Sequence, residues 1–311
     1  MTKSILKSQK KKAKWAEILF VFLLILPWLL NTLIFWFGTN VQAFIMMFTS
    51  YDTKEFTLQN FTAAWELFTT AKDANLSLAL LNTTKFFLVS FFTIPIPIIT
   101  AYVLYKKVFL NNFIRIVLYL PGAISGIMMA RLFNQFVQSQ GILGGILEAF
   151  GLPMKSASLF TDESTALGTI MFFDVWMGLG GSLILWLGAV NRIPTELVEY
   201  NKLLGLGELK EFVLVVLPLI WPTFVTMVTL SLIGFFGATG SVLVFTQGNA
   251  GTTTISYWMY RILLNQEESM FHISNAAGLI MMLLTVPVVF VGRFIMNKWG
   301  QEIEYRYIRK I

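Results

Sequence analysis

The groups in this chain that could do chemistry are a few carboxylates, one histidine and several glycine clusters, all set in strongly apolar surroundings. Among 311 residues there is a single histidine, His272, and no cysteine. Disulfide frameworks and thiolate metal sites are therefore excluded, and the paired-histidine spacing of zinc hydrolases cannot occur. His272 reads as a loop residue, and Glu267-Glu268 as a solvated loop face. Gly178-Leu179-Gly180-Gly181-Ser182 has the glycine density of a phosphate loop but lacks the Gly-Lys-Ser/Thr that a nucleotide needs, and no such triplet occurs elsewhere. In an apolar run such glycines let helices approach or unwind around a cavity. No catalytic residue, metal site or cofactor site is found.

Asp174 lies inside an apolar run, where a charge costs at least about 2.5–3.5 kcal/mol unless it is paired or faces water. Two readings stand open. One is a contact in a solute path. The other is a structural partner for Arg131, or for a backbone group at a helix break. Trp176, Phe172, Phe173 and Phe235 offer faces on which the C–H surfaces of a sugar ring stack. Most of the 29 Phe and 9 Trp, however, are expected to face lipid or its interfaces. Asp174, Trp176 and Phe235, with Gly237 at a break in a later run, form the candidate path.

The other chemically distinctive stretch is Pro194–Pro222, charged at its start and set between long apolar runs. Pro194 suits the first turn of a helix. Leu197, Tyr200 and Leu204 recur at i, i+3 and i+7, which predicts one apolar face, with Glu196 and Glu199 on another. Gly205 sits where a helix stops. A second helix then enters the next apolar run through Pro218 and Pro222. The pattern is helix, glycine turn, helix, lying at a membrane surface and shaped to dock.

The elements that must hold these groups are membrane spans. The chain is 56% hydrophobic and 13% charged, about half the charge of a soluble domain. Apolar runs at Ile18–Phe37, Thr83–Tyr105, Phe113–Val137, Ala166–Val190, Phe212–Phe245 and Ser274–Met296 are each long enough to cross a bilayer. Pro95 and Pro97 kink the second. Pro121, Gly122, Ser125 and Gly126 suit the third to close packing. Pro218, Pro222, Gly234, Gly237 and Gly240 break the fifth, which is too long for one straight span. No small-residue cleavage site follows the first, so it is expected to stay. Residues 50–82 read as a cap of short helices. The organisation is a basic tail at 1–16, a first span and cap at 17–82, a five-helix core at 83–296 and a second tail at 297–311.

Charge orients the spans. Lys3, Lys7, Lys10, Lys11, Lys12 and Lys14 precede the first. Lys106, Lys107, Arg115, Arg192, Lys202, Lys210 and the cations from Arg293 onward fall on the same side of the membrane. Only Lys54, Lys72, Lys85, Arg131, Lys155 and Arg261 lie elsewhere. Cytoplasmic loops carry this excess, so both termini and Pro194–Gly205 are expected in the cytoplasm. The formal charge of +6 is thereby explained by topology, and no nucleic-acid partner is expected.

Pro194–Pro222 resembles the E-A-A-x-x-x-G loop, with its following I-x-L-P, of permease subunits of bacterial binding-protein-dependent ABC importers. Glu199 matches the Glu, Gly205 the Gly and Leu217-Pro218 the Leu-Pro. Tyr200 and Asn201 replace the two alanines, and Leu204 replaces a common Asp. Asn82-Thr83, Leu120-Pro121, Gly141–Leu147, Phe173-Asp174-Val175-Trp176 and Phe245–Thr252 are similar to stretches of sugar-type permeases, with Asn249 and Ala250 departing from a usual Gly-Pro. The chain looks like the type represented by the larger maltose permease. The resemblance implies an all-α integral membrane protein of six transmembrane helices, the type I importer permease fold with a cytoplasmic coupling helix. It implies that Glu196, Glu199, Tyr200, Asn201, Gly205, Leu217 and Pro218 serve coupling to an ATPase. It further implies a second permease in a heterodimer, two copies of an ABC ATPase, an extracytoplasmic solute-binding protein, a carbohydrate substrate, surrounding lipid and a bacterial plasma-membrane location. Import of glycerol phosphate or another small polar solute is the alternative within that class. A self-contained secondary carrier using Asp174 as an ion site is the alternative outside it, though no inverted repeat is evident.

Overall fold

The computed structural model describes residues 2–69, 74–237, 240–264 and 268–308. Glu267, read above as a loop residue, lies outside them, as do Lys72, Arg309 and Lys310. The described residues are helical apart from turns and two isolated β-bridges, Thr49 with Phe56 and Gln138 with Ser158. Helix is the form an apolar span must take, because lipid offers no partner for a free N–H or C=O. Hydroxyls inside the spans are hidden the same way. Thr83, Thr93, Thr100, Thr229 and Ser182 each donate to the carbonyl four residues back.

Contacts divide the chain into two units, Met1–Leu67 with Gln266–Leu279, and Phe68–Asn265 with Ile280–Ile311. In the first, an apolar helical stretch runs over Glu17–Met47, on past Phe37, with a π-helical segment at Thr32–Phe37. None of its most apolar stretch is buried. The cap region holds one short helix, Gln59–Thr69, and the next helix already begins at Ala74. Asn60 donates to the carbonyls of Met46, Met47 and Thr49, closing off the first helix. His272 is not in a loop. It lies in the Glu268–Ile308 helix, buried, with Nδ1 2.7 Å from both Met46 O and Thr49 O. Facing two carbonyl acceptors, Nδ1 carries the proton, and the residue is a structural cap.

The second unit carries the remaining architecture. Leu76–Tyr105 and Ala166–Val190 are span-length helices, and Ser269–Gly300 is a further one along the chain. The Leu76–Tyr105 span is interrupted at Ile94, before Pro95, as the prolines require. Two more spans are bent. Asn111–Ala123 and Gly126–Phe136 meet at 104°, and Glu208–Leu219 and Trp221–Phe236 at 73°. The first bend was not expected. Its cause is the extended pair Ile124 and Ser125, whose ψ values of 150° and 127° turn the chain out of the helix. The second falls at Ile220, between Pro218 and Pro222, where Pro222 removes a backbone donor. With each bent pair taken as one span, the total is six.

One core cluster joins Ile98, Ala101 and Leu104 to Leu183, Trp186, Leu187 and Val190, and to Val216 and Ile220. Gly180 permits a neighbouring approach, since a Cβ there would lie 2.8 Å from Leu118 O. Gly178 and Gly181 face open space. The other cluster is aromatic: Phe245 stacks on Phe160 with centroids 4.3 Å apart and meets Phe173 edge-on at 4.8 Å, beside Phe133.

Asn82 and Thr83 hold the turn after Phe245. Asn82 donates to the carbonyls of Gly251 and Thr253, and Thr83 Oγ1 accepts from the Ile255 amide. Within that turn Gln247, Gly248, Ala250 and Gly251 all have left-handed φ values. The buried hydroxyls of Thr246 and Thr252 close it at 2.6 Å. Two of the sequence stretches singled out above are therefore one structural lock.

Candidate functional site

The charged stretch folds into a surface helix, Thr195–Leu203, one residue after Pro194. Leu204 and Leu206 donate back to Tyr200 O and Asn201 O, at 3.1 Å each. The second of these is the six-to-one bond of a Schellman ending, and it demands a left-handed residue in between. Gly205 supplies it with φ +67°. A Cβ there meets nothing within 4 Å, so the glycine is required by conformation and not by space.

The outward face carries Tyr200 and Leu204 of the expected apolar face, but also Leu203 and both Glu residues, while Leu197 is half-buried. Tyr200 and Leu204, expected with Leu197 on one apolar face, are each 59% exposed, and Leu203 is 86% exposed. They stand with the exposed Glu196 and Glu199. The side turned inward is Val198, packed on the first core cluster, and Asn201, 4% exposed. Asn201 therefore seats the helix and is not part of its outer face. The period identified residues on one side of a helix, and among the described residues little packs against that side. It is a row of Leu and Tyr flanked by two Glu, held out from the fold and left uncovered.

The return leg is clamped. Glu208–Glu211 begins a helix that continues through a π-helical turn, Phe212–Val216, into Leu217–Leu219. Leu217 and Pro218 are half-buried there, beside buried Val215, Val216 and Ile220. Glu211 is 2% exposed, and its two oxygens lie 2.6 and 2.7 Å from Lys106 Nζ. Tyr102 OH donates to Glu208 O at 3.2 Å, and Tyr105 OH to Ile193 O at 3.5 Å. Both ends of the surface helix are thus fastened to the end of the Pro95–Tyr105 helix. Sequence reasoning missed Glu211. The available signal was a Glu at the mouth of the Phe212–Phe245 apolar run, where a buried charge needs a counter-ion.

Of the candidate path residues, Asp174, Phe235 and Gly237 come together. They line a cavity of about 350 Å³ with Phe86, Ser90, Ser231 and Gly234. Asp174 Oδ2 accepts from the Ser241 hydroxyl at 2.7 Å. Among the described residues no ion pair joins it to Arg131. Trp176 lies elsewhere, with Phe172, lining a cavity of about 840 Å³ that also presents Gln135, Gln138 and Gln140. An aromatic floor with amide donors and acceptors is chemistry suited to a hydroxyl-rich ring. Phe173, by contrast, is buried in the aromatic core. The floor is shaped by Gly141, where a Cβ would collide with Gln135 O, and by Gly144, where one would collide with Ser139 O.

A family model described as "Binding-protein-dependent transport system inner membrane component" matches residues 93–301. The arabinooligosaccharides transport system permease protein AraP of Bacillus subtilis is 24% identical over 300 residues, covering 91% of this chain and 92% of AraP. A probable ABC transporter permease of the same organism, YurN, is 25% identical over 57% of this chain and 61% of its own length. In structure, a chain of a bacterial ABC transporter involved in the import of the acidic polysaccharide alginate superposes with a TM-score of 0.77 and 21% identity, covering 93% of this chain and 98% of that one.

Proposed function

The chain belongs to the inner-membrane-component family of binding-protein-dependent transport systems, and from that premise we propose that it forms half of the path of an ATP-driven importer for a sugar or oligosaccharide. A second permease would complete the path, two copies of an ABC ATPase would drive it from the cytoplasm, and an extracytoplasmic binding protein would deliver the solute. ATP hydrolysis is the partner's work. The observation that carries this reading is the surface helix Thr195–Leu203, clamped at both ends yet turning Glu199, Tyr200, Leu203 and Leu204 away from the fold. Motion of a partner seated on that face passes through the Lys106–Glu211 clamp to the Leu76–Tyr105 span. The carbohydrate class is supported by the names of the relatives, AraP among them, and by the aromatic and amide lining beside Trp176.

The test is solute-stimulated ATP hydrolysis by the reconstituted complex. Glu199→Lys should weaken ATPase association, and more so at low salt, because the Debye length shrinks from about 30 Å at 0.01 M to about 8 Å at 0.15 M. Full stimulation in this variant and in Leu203→Asp together would show the helix to be a solvated loop and would overturn the proposal.

A further inference from the structure

A cavity of about 740 Å³ opens where the Pro95–Tyr105 helix ends and the Asn111–Ala123 helix begins, away from the path. Lys107, Arg115, Asn111, Asn112 and Asn191 line it, and no carboxylate does. Lys106, the neighbour in sequence, is already neutralised by Glu211, whereas Lys107 and Arg115 have no acidic partner among the described residues. Arg115 is under-used: among the described residues its one bond is from Nη2 to Leu104 O, at 3.5 Å, and its buried Nε–H has no acceptor. The buried side-chain oxygen of Asn111 has no donor either, and a half-turn of that amide presents its NH2 instead. The amides of Asn112 and Phe113 open a 13-residue helix without a side-chain cap or a backbone acceptor. All these unsatisfied donors want an anion with several oxygens.

The surroundings indicate its source. Phe109 is 88% exposed, and Leu110, Phe113 and Ile116 are exposed beside it. A collar of bare apolar groups around a cationic pocket suits a molecule that is itself half apolar. We propose that this cavity binds the phosphate headgroup of an anionic membrane lipid, its acyl chains lying on the Phe109–Ile116 surface. Asn191 ends the Ala166–Val190 helix four residues before the surface helix begins. The bound headgroup would therefore brace the root of the docking element.

The experiment compares lipid retained by the intact complex, released from nanodiscs of mixed phosphatidylglycerol and phosphatidylcholine, by native mass spectrometry. Wild-type complex should retain phosphatidylglycerol preferentially. Lys107→Gln and Arg115→Gln should each lower that preference roughly fivefold, as expected for one basic residue near the surface. Lys298→Gln, which removes an exposed charge outside the cavity, should leave it unchanged. Equal loss in Lys298→Gln, or no loss in either cavity variant, would overturn the site. Should a cavity variant fail to assemble, the wild-type comparison still decides, because equal retention of the two lipids refutes it. A second arm adds inorganic phosphate. Displacement of the lipid by millimolar phosphate would overturn the lipid source in favour of a free anion.

Discussion

Lys106 and Glu211 are the charges most tightly bound to the fold, and their worth lies in each other. A buried pair is a modest net contributor, but removing one partner strands the other at a cost of about 3–5 kcal/mol. Lys106→Met alone should therefore sharply lower the thermal stability of the detergent-purified complex. Adding Glu211→Leu should recover most of the loss, because two apolar groups satisfy that position about as well as an ion pair. Equal stability of the single and double variants would show the pair to be solvated. Asp174 is a different case. Among the described residues its carboxylate accepts one bond, from Ser241, and an asparagine oxygen accepts the same bond. Asp174→Asn should then keep the cavity intact and leave the ATP-driven transport rate per molecule nearly unchanged. An ion site would behave otherwise: uptake would collapse in the variant and would be abolished by ionophores in the wild type. Uptake that needs ATP and ignores ionophores rules out the carrier alternative.

Among elements, Gly180 and the surface helix show what local sequence can and cannot reveal. A Cβ at Gly180 would push on the Leu118 carbonyl at 2.8 Å, while Gly178 and Gly181 have open space. Gly180→Ala should thus destabilise the chain by about 1–3 kcal/mol, the range for overpacking, and the alanine variants of the other two should be near neutral, as read by thermal unfolding. From sequence the three glycines are indistinguishable, since the discriminating atom belongs to a residue some sixty positions away. The turn at Gly205 was legible because a helix ending is a local event. Gly205→Ala should cost about 1–2 kcal/mol for its left-handed backbone. Gly205→Pro, whose ring forbids φ +67°, should abolish stimulated ATP hydrolysis while the chain still inserts. The outward face of that helix was not legible. Periodicity aligns Leu197, Tyr200 and Leu204, but it cannot say whether their side meets this chain or another. His272 was misplaced for a similar reason: the apolar signal begins at Ser274, whereas the helix begins at Glu268 and buries the histidine against Met46 O and Thr49 O. The 104° bend was missed too, because Pro121-Gly122 and Ser125-Gly126 were read as small residues for close packing although such dipeptides also mark turns.

At the scale of the whole molecule, the spans are unevenly covered by their own chain. The apolar stretch of Ala166–Val190 is 39% buried, that of Leu76–Tyr105 28%, that of Ser269–Gly300 6% and that of Glu17–Met47 none. What remains bare must face lipid or other subunits, which is the state expected of one member of a heteromer. The number of spans was legible because length and hydropathy fix it once each bent pair is one span, their ends less so, and orientation rests on where the cations fall. That orientation makes a prediction for which this protein is unusually well prepared, since it has no cysteine to mask an introduced one. Glu199 and Lys298 are exposed and Asp162 is half-exposed in a surface turn, so a thiol at each is reachable. Asp162 precedes the Ala166–Val190 helix and receives the Ala166 amide through its backbone carbonyl, which a substitution keeps; among the described residues its carboxylate bonds the amide and hydroxyl of Ser164, so Asp162→Cys disturbs little beyond that turn. In right-side-out vesicles an impermeant maleimide should label Asp162→Cys and spare Glu199→Cys and Lys298→Cys. In inverted vesicles the pattern should reverse. The span Ala166–Val190 lies between the first two sites and permits no other result if it crosses the bilayer once. Labelling of Asp162→Cys and Glu199→Cys from the same side would mean that this helix does not cross, and the surface helix would then have no claim to face an ATPase.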